Sequence, residues 1–332
     1  MDVRTLSAAA GALVLAACAP SGSDTGHEGA HGDAQVPAVR SELLVSTAWL
    51  ADHLDDPGVV VLHVAPDRSG YNRGHIPGAR FLPLGAIVVE RDGLANELPP
   101  VERLDSVFEA VGVSDDSRVV VYGPPLAAAR AFFTLDYLGH GDRTALLDGG
   151  VERWAAEGRP LSTEATAIAG GELMTEAPAV ARGQPTTAAP TTARGSFTPR
   201  PMPERVVDAA WVSERLGAPG VALLDARPAA EFTGDVAGAG IPRPGHIPGA
   251  RNVFWQRMIR SPEDPTFLEP EALRALLRDA GIEPGDTVVA YCRTGVQASV
   301  AYFVARYLGY EARMYDGSFM DWSPREALPV ER

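Results

Sequence analysis

Short unbroken apolar runs alternate along this chain with longer stretches in which apolar residues return every three or four positions. In the C-terminal part, Val221-Ala222-Leu223-Leu224 and Val288-Val289-Ala290-Tyr291 are continuous apolar runs, the pattern of strands buried on both faces. Pro270 to Ala280 predicts a helix, with a proline in its first turn and Gly281 just past its end. Ala298, Ala301, Tyr302, Ala305 and Leu308 recur at helical spacing and are closed by Gly309, after which Met314-Tyr315 leads into Asp316-Gly317. Strands alternating with helices predict an α/β fold, a mainly parallel sheet with helices on both faces. Ligands of such sheets lie beyond the carboxyl ends of the strands, which directs attention to Cys292, the residue after Tyr291.

The same order of elements occurs earlier in the chain. GHIPGAR stands at Gly74–Arg80 and again at Gly245–Arg251. Trp49 corresponds to Trp211, Val61-Leu62 to Leu223-Leu224, Tyr122 to Tyr291, Asp148-Gly149-Gly150 to Asp316-Gly317-Ser318, and Trp154 to Trp322. The offset is 162 at the first tryptophans, 171 at GHIPGAR and 168 at the end, so the second copy carries an insertion around Thr233 to Arg243. A chain of 332 residues therefore divides into two copies of one domain, at 41–162 and 204–332. Residues 163–203 are biased to Ala, Thr, Pro and Gly, with PTTAAPTT at Pro185–Thr192, and predict an extended surface linker.

Residues 1–18 predict a signal peptide, in which a short n-region containing Arg4 precedes the apolar run Ala8–Cys18, too short for a permanent membrane span. Leu15-Ala16-Ala17-Cys18 resembles a bacterial lipobox. That likeness implies a lipid on Cys18 and a cell-envelope protein facing the periplasm, with the outer membrane favoured because Ala19 carries no obvious retention signal. Residues 19–40 then serve as a flexible tether. His27 and His31 lie in it beside Glu28 and Asp33, but a spacer gives metal ligands no outer shell, and no metal site is expected. The chain has 43 acidic against 29 basic residues, a net charge of -14, which excludes a nucleic-acid partner.

Cys18 and Cys292 are the two cysteines. With Cys18 acylated, Cys292 is the single thiol left and has no partner for an internal disulfide. The segment VVAYCRTGVQASVAY places it after a buried strand, in a loop of Arg293, Thr294, Gly295, Val296 and Gln297, with a helix starting near Gln297 or Ala298. Backbone N–H groups free at a helix N-terminus, a glycine that lets the loop curl, and Arg293 alongside predict an anion cradle and a lowered thiol pKa. In the first copy Gly123, Pro124 and Pro125 stand there instead, so that copy has no nucleophile. Asp225 and Arg227, after the first strand, are expected to pair and brace the loop; His63 and Ala65 replace them in the first copy. His246 of GHIPGAR is read as structural rather than as a base, because His75 occupies the same place in the copy without a cysteine. Trp154 and Trp322 are read as core residues.

At this point the chain resembles the rhodanese family of sulfurtransferases, through the loop Cys292–Gln297, both GHIPGAR segments, Asp225 with Arg227, and the terminal Asp316-Gly317-Ser318 and Trp322. The resemblance implies two rhodanese-like domains, the first inactive, and a persulfide formed on Cys292 without a metal or organic cofactor. A small sulfur donor would give its outer sulfur to the thiolate, and cyanide or a thiol would remove it in a second step. The family's thiosulfate enzymes carry loops such as CRKGVT and its mercaptopyruvate enzymes CGSGVT; Arg293 agrees with the first. Mercaptopyruvate enzymes tend to hold an arginine where this chain has Glu231. Thiosulfate is therefore the expected donor, with Arg243 of the inserted stretch as a further anion contact, and 3-mercaptopyruvate or a sulfur relay to a protein acceptor as alternatives. A cysteine phosphatase or arsenate reductase would need an arginine closing C-x5-R, and Ala298 stands there.

Overall fold

The computed structural model describes residues 36–168 and 191–332. The calls on the signal peptide, on Cys18, on the histidines of the tether and on the centre of the linker lie outside the described residues. The first copy runs β1 (Leu44–Val45), α1 (Thr47–His53), β2 (Val59–Ala65), α2 (Ser69–Arg73), β3 (Arg80–Pro83), a hairpin of β4 (Val89–Arg91) and β5 (Leu94–Glu97), α3 (Val101–Ala110), β6 (Arg118–Tyr122), α4 (Pro125–Tyr137), β7 (Thr144–Leu147) and α5 (Gly150–Ala156). In the linker β8 (Ala167–Ile168) pairs with β9 (Thr191–Thr192). The second copy runs β10 (Val206–Val207), α6 (Ala209–Glu214), β11 (Val221–Asp225), α7 (Ala229–Phe232), β12 (Arg251–Asn252), α8 (Pro270–Asp279), β13 (Thr287–Tyr291), α9 (Ala298–Tyr307), β14 (Glu311–Tyr315) and α10 (Ser318–Trp322).

Each copy folds into a parallel five-stranded sheet, ordered β1-β7-β6-β2-β3 and β10-β14-β13-β11-β12. The matching orders bear out the reading of one α/β domain twice. The predicted helix at Pro270 is α8, and Gly281 past its end has φ +80°.

Side chains of a strand point alternately to its two faces, and this parity decides where everything else goes. Val120 and Tyr122 of β6 enter a core with Ile76 and Trp154, while Val119 and Val121 enter another with Phe132. In β13, Val289 and Tyr291 join Trp322, while Val288 and Ala290 enter the same apolar body as Val119 and Val121. One core is thus shared by both copies. Across it, α4 meets α9: Phe132 stands edge-on to Phe303 at 4.9 Å between ring centres, and Phe133 to Tyr302 at 5.1 Å. At the end of these helices the buried Asp136 accepts from the Tyr302 hydroxyl at 2.5 Å and from Arg306 Nε at 2.9 Å.

Two segments read as loose in the sequence are engaged. Arg40 N–H donates to Tyr307 O at 2.8 Å and Arg274 reaches Pro37 O at 2.6 Å, so the end of the expected tether lies against the second copy. The last part of the linker is a strap over the first copy: Arg194 pairs with Glu109 at 3.1 Å, and Phe197 is buried between Phe108 and His140. A single aromatic residue in a polar stretch gave that docking little weight in the sequence pattern.

Because the core is shared, the described copies should unfold in one cooperative transition. Phe303→Ala should lower stability by about 3–5 kcal/mol with the transition still single, as read by denaturant titration with fluorescence and circular dichroism. Two separated transitions in the unmodified protein would refute the shared core.

Candidate active site

Parity carries one residue past the strand. Cys292 continues the Val288–Ala290 row, so its side chain faces the other copy, and it is only 1% exposed. Backbone N–H groups of Ala298, Thr294 and Gln297 favour the anionic form of its sulfur, where the loop turns into α9. Their effect has the sign that the predicted cradle requires. Gly295 makes the turn possible, with φ +84°; a Cβ there would stand 2.6 Å from Asp316 Oδ1. The electrostatic outcome differs from the expectation. Burial pushes the Cys292 thiol above its ordinary value, and the three N–H groups oppose that rise without reversing it.

The loop is held from behind by the turn after β14. Cys292 N–H donates to Ser318 Oγ at 3.1 Å, Phe319 N–H to Cys292 O at 3.0 Å, and Met320 N–H to Arg293 O at 3.0 Å. Ser318 holds a left-handed backbone, φ +54°, at the place where the first copy has Gly150 with φ +56°. A serine tolerates that conformation at a cost of about 1–3 kcal/mol, and here its hydroxyl anchors the nucleophile's own N–H. Sequence comparison of the copies contained the signal, a serine replacing a glycine in the Asp-Gly-Gly element, although the sequence reading drew no role from it.

Asp225 and Arg227 form the expected buried pair, with Arg227 Nη2 at 2.6 Å from Asp225 Oδ2. Arg227 also donates to Gly245 O at 2.8 Å and lies 4.2 Å over the Phe319 ring. It thereby ties β11 and the second GHIPGAR to the residue that supports Cys292. His246 stacks on Phe232 at 3.7 Å, with Nδ1 2.9 Å from Phe232 O; His75 stacks on Tyr71 at 3.6 Å in the same way. Both histidines are turn-forming parts of the fold, as read, and Trp154 and Trp322 are core residues that donate to Pro160 O and Pro329 O.

Two anion contacts expected from the sequence are not free. Arg293 makes a two-point ion pair with Glu231, its Nε 3.2 Å from Glu231 Oε2. Glu231 therefore neutralises the guanidinium as well as bearing the wrong charge for a carboxylate donor. The inserted stretch folds over this pair, and a Cβ at Gly238 would stand 2.8 Å from both partners. Arg243 is not in the site. It donates to Ser323 O at 2.6 Å, Leu328 O at 2.9 Å and Arg325 O at 2.6 Å, because the C-terminal segment needs its carbonyls satisfied.

The corresponding place in the first copy is closed. Only Gly123 and Pro124 separate β6 from α4, and a Cβ on Gly123 would meet Val64 O at 2.1 Å. His63, where Asp225 stands in the second copy, is buried among Tyr71, Phe81 and Tyr122, and desolvation followed by the neighbouring His75 lowers its pKa to about 4. No thiol chemistry is available there.

The first copy nevertheless reaches the site through its hairpin, whose turn Asp92-Gly93 has positive φ at both residues. Asn96 Nδ2 donates to Thr294 Oγ1 at 3.1 Å, and Leu98 N–H to Asp316 Oδ2 at 2.9 Å. Glu97, beside them, is raised to about 7 by burial and by the charge of Asp316. The sequence reading missed these residues; the Asp-Gly turn announced a hairpin but not its destination. A cavity of about 470 Å³ opens along this seam, lined by Glu97, Trp211, Asp316 and Asp321 among others. Cys292 is not among its lining residues, and the thiol's surroundings, rather than the size of the cavity, define the site.

Comparisons with known proteins agree with this geometry. The family model of the Rhodanese-like domain matches residues 46–157 and 208–325. A "Sulfur carrier protein TtuD" of Thermus thermophilus is 35% identical over 304 residues, which is 88% of this chain and 97% of the relative. A "Putative thiosulfate sulfurtransferase 1" of Mycobacterium bovis is 33% identical over 303 residues, 88% of this chain and 98% of the relative. Among solved structures, the 3-mercaptopyruvate sulfotransferase SseA of Escherichia coli superposes with a TM-score of 0.67 at 26% identity, over 83% of this chain and 98% of that one.

Since burial raises the thiol, Cys292 is mainly protonated at neutral pH and its thiolate fraction grows as pH increases through the raised value. The rate of Cys292 alkylation by iodoacetamide, followed by intact mass, should keep climbing beyond the range of an ordinary exposed thiol. A plateau reached below that range would contradict the assignment.

Proposed function

The chain belongs to the rhodanese family, as a tandem-domain sulfurtransferase, and from that premise we propose that it moves the outer sulfur of thiosulfate through a persulfide on Cys292. The observation that carries this reading is the buried Cys292 thiol before α9, whose anionic form is favoured by the backbone N–H groups of Ala298, Thr294 and Gln297. The thiolate attacks the outer sulfur, the sulfur–sulfur bond of the donor breaks, and its electron pair leaves on sulfite. An acceptor such as cyanide then attacks the terminal persulfide sulfur, thiocyanate departs, and the Cys292 thiolate returns. The N–H groups meet anionic sulfur in each half-reaction with dipoles already in place, so little reorganisation is required.

Thiosulfate is favoured over 3-mercaptopyruvate by the engagement of the nearby arginines. A mercaptopyruvate carboxylate needs a cation held away from the sulfur, while Arg227 is paired with Asp225, Arg293 with Glu231, and Arg243 with three carbonyls. The relative named as a thiosulfate sulfurtransferase supports the same donor. The relative named as a sulfur carrier supports a second reading, in which a protein thiol is the acceptor.

Cys292→Ser should abolish sulfite release from thiosulfate and leave the circular dichroism spectrum unchanged. Thiosulfate should give a higher kcat/KM than 3-mercaptopyruvate with cyanide as acceptor, and the opposite order would overturn the donor. A Cys292 persulfide seen by mass spectrometry without turnover on small acceptors would establish the carrier reading instead.

For the address, we propose that Cys18 is lipidated and that residues after it tether the protein to the periplasmic side of the cell envelope, in the outer membrane. Expressed in a bacterial host, the unmodified chain should sediment with membranes and Cys18→Ser should not. An unacylated mature N-terminus by mass spectrometry would sink the idea.

A further inference from the structure

We infer that the catalytically silent domain supplies a positioning residue, Arg130, which with Asn96 sets the geometry of the Cys292 loop across the domain interface. Arg130 is on α4 of the first copy and is fully buried. Its Nη1 lies 2.5 Å from Asp316 Oδ1, its Nη2 3.1 Å from Asp316 Oδ2 and 2.6 Å from Asn96 O. Asp316 begins the turn whose Ser318 hydroxyl receives the Cys292 N–H. A chain of direct contacts thus runs from the silent domain to the backbone of the nucleophile. A second arm runs through the Asn96 amide to Thr294, and Asn96 keeps a left-handed backbone, φ +65°, to make both contacts.

Comparison of the two interfaces shows that this arginine is no general feature of the fold. At the corresponding clasp, Asp148 of the first copy accepts Phe267 N–H of the second at 3.0 Å, as Asp316 accepts Leu98 N–H. Asp148, however, is paired with Arg153 of its own domain, whose side chain is 40% exposed. The buried cross-domain arginine occurs at the clasp beside the cysteine and not at the clasp beside Gly123. Burying an arginine is costly unless a carboxylate and further acceptors meet it, and among the described residues its Nε has no partner. Stability alone would be served as well by an apolar side chain. The arrangement gives instead a fixed, two-point geometry on Asp316 and cancels a carboxylate that lies against Gly295 of the Cys292 loop.

Charged and titratable groups near the Cys292 loop come from the elements packed about it: Asp225 and Arg227 after β11, Glu231 of α7 with Arg293, Tyr291 of β13, Asp316 after β14, Arg130 of α4 and Glu97 of β5. Removing Arg130 alone leaves Asp316 uncompensated and should raise the thiol further; removing both charges should return it.

The inference rests on the sulfurtransferase reading, and the test separates them. Single-turnover formation of the Cys292 persulfide from thiosulfate is followed by intact mass in the full chain, with Tm recorded in parallel. Persulfide formation in the unmodified protein is the control for the reading itself. Asn96→Ala and Arg130→Lys should keep the fold and slow persulfide formation about 10-fold with KM for thiosulfate changed less than about twofold, the size expected of a displaced reacting group. Arg130→Met should shift the pH profile of Cys292 alkylation upward, and the Arg130→Met, Asp316→Asn double variant should bring it back while remaining slow. Should Arg130→Met fail to fold, the double variant and Asn96→Ala still decide the matter. Folded variants with unmodified rates and pH profiles would overturn the inference, even with sulfur transfer at Cys292 established.

Discussion

Everything at this site depends on the alternation of side chains along one buried strand. Val288 and Ala290 of β13 enter the core shared by the two copies, Val289 and Tyr291 enter the opposite one, and Cys292 inherits the direction of the first pair. A shift by one residue would turn the thiol towards Trp322 and the far face. With the parity as it is, the nucleophile faces the silent domain, and that domain becomes part of its environment. The copy that has Gly123 in place of a cysteine is thereby part of the surroundings of the thiol.

The same constraint explains why the thiol is raised rather than lowered. A helix N-terminus and a curled loop stabilise an anion, and the sequence displayed both. Desolvation is the opposing effect, and it depends on what covers the loop. Here the covering comes from a second domain far away in the chain, through Asn96, Leu98 and Arg130. Local pattern cannot report a contact between residues some two hundred positions apart, so the cradle was legible and its burial was not.

Other elements divide along the same line. The repeated sheets, the Asp225–Arg227 pair and the structural role of His246 were all legible, because each is fixed by a local pattern or by comparing one copy with the other. Arg243 and Arg293 were misread as free cations. Their partners are backbone carbonyls of the C-terminal segment in one case and Glu231 of α7 in the other, and a guanidinium with five donors accepts whatever acceptors folding brings to it. Arg130 was invisible for a related reason: on α4 it is a polar residue among alanines and phenylalanines, and only the packing of the two domains against each other shows that it reaches Asp316.

Taken together, the charges about Cys292 form three carboxylate–arginine pairs, Asp225 with Arg227, Glu231 with Arg293 and Asp316 with Arg130. Each pair is close to neutral as a unit, so none acts as a net counter-ion to an anionic sulfur on Cys292. Such pairs fix geometry more than they contribute stability. What remains to hold the anion is the set of oriented N–H groups of Thr294, Gln297 and Ala298. Dipoles of this kind stabilise negative sulfur wherever it lies within the loop, whether as the Cys292 thiolate or as the longer persulfide. A single fixed cation would favour one of those two positions over the other. Under the proposed sulfur transfer, a cradle of dipoles braced by neutral pairs would keep the two half-reactions closer in energy.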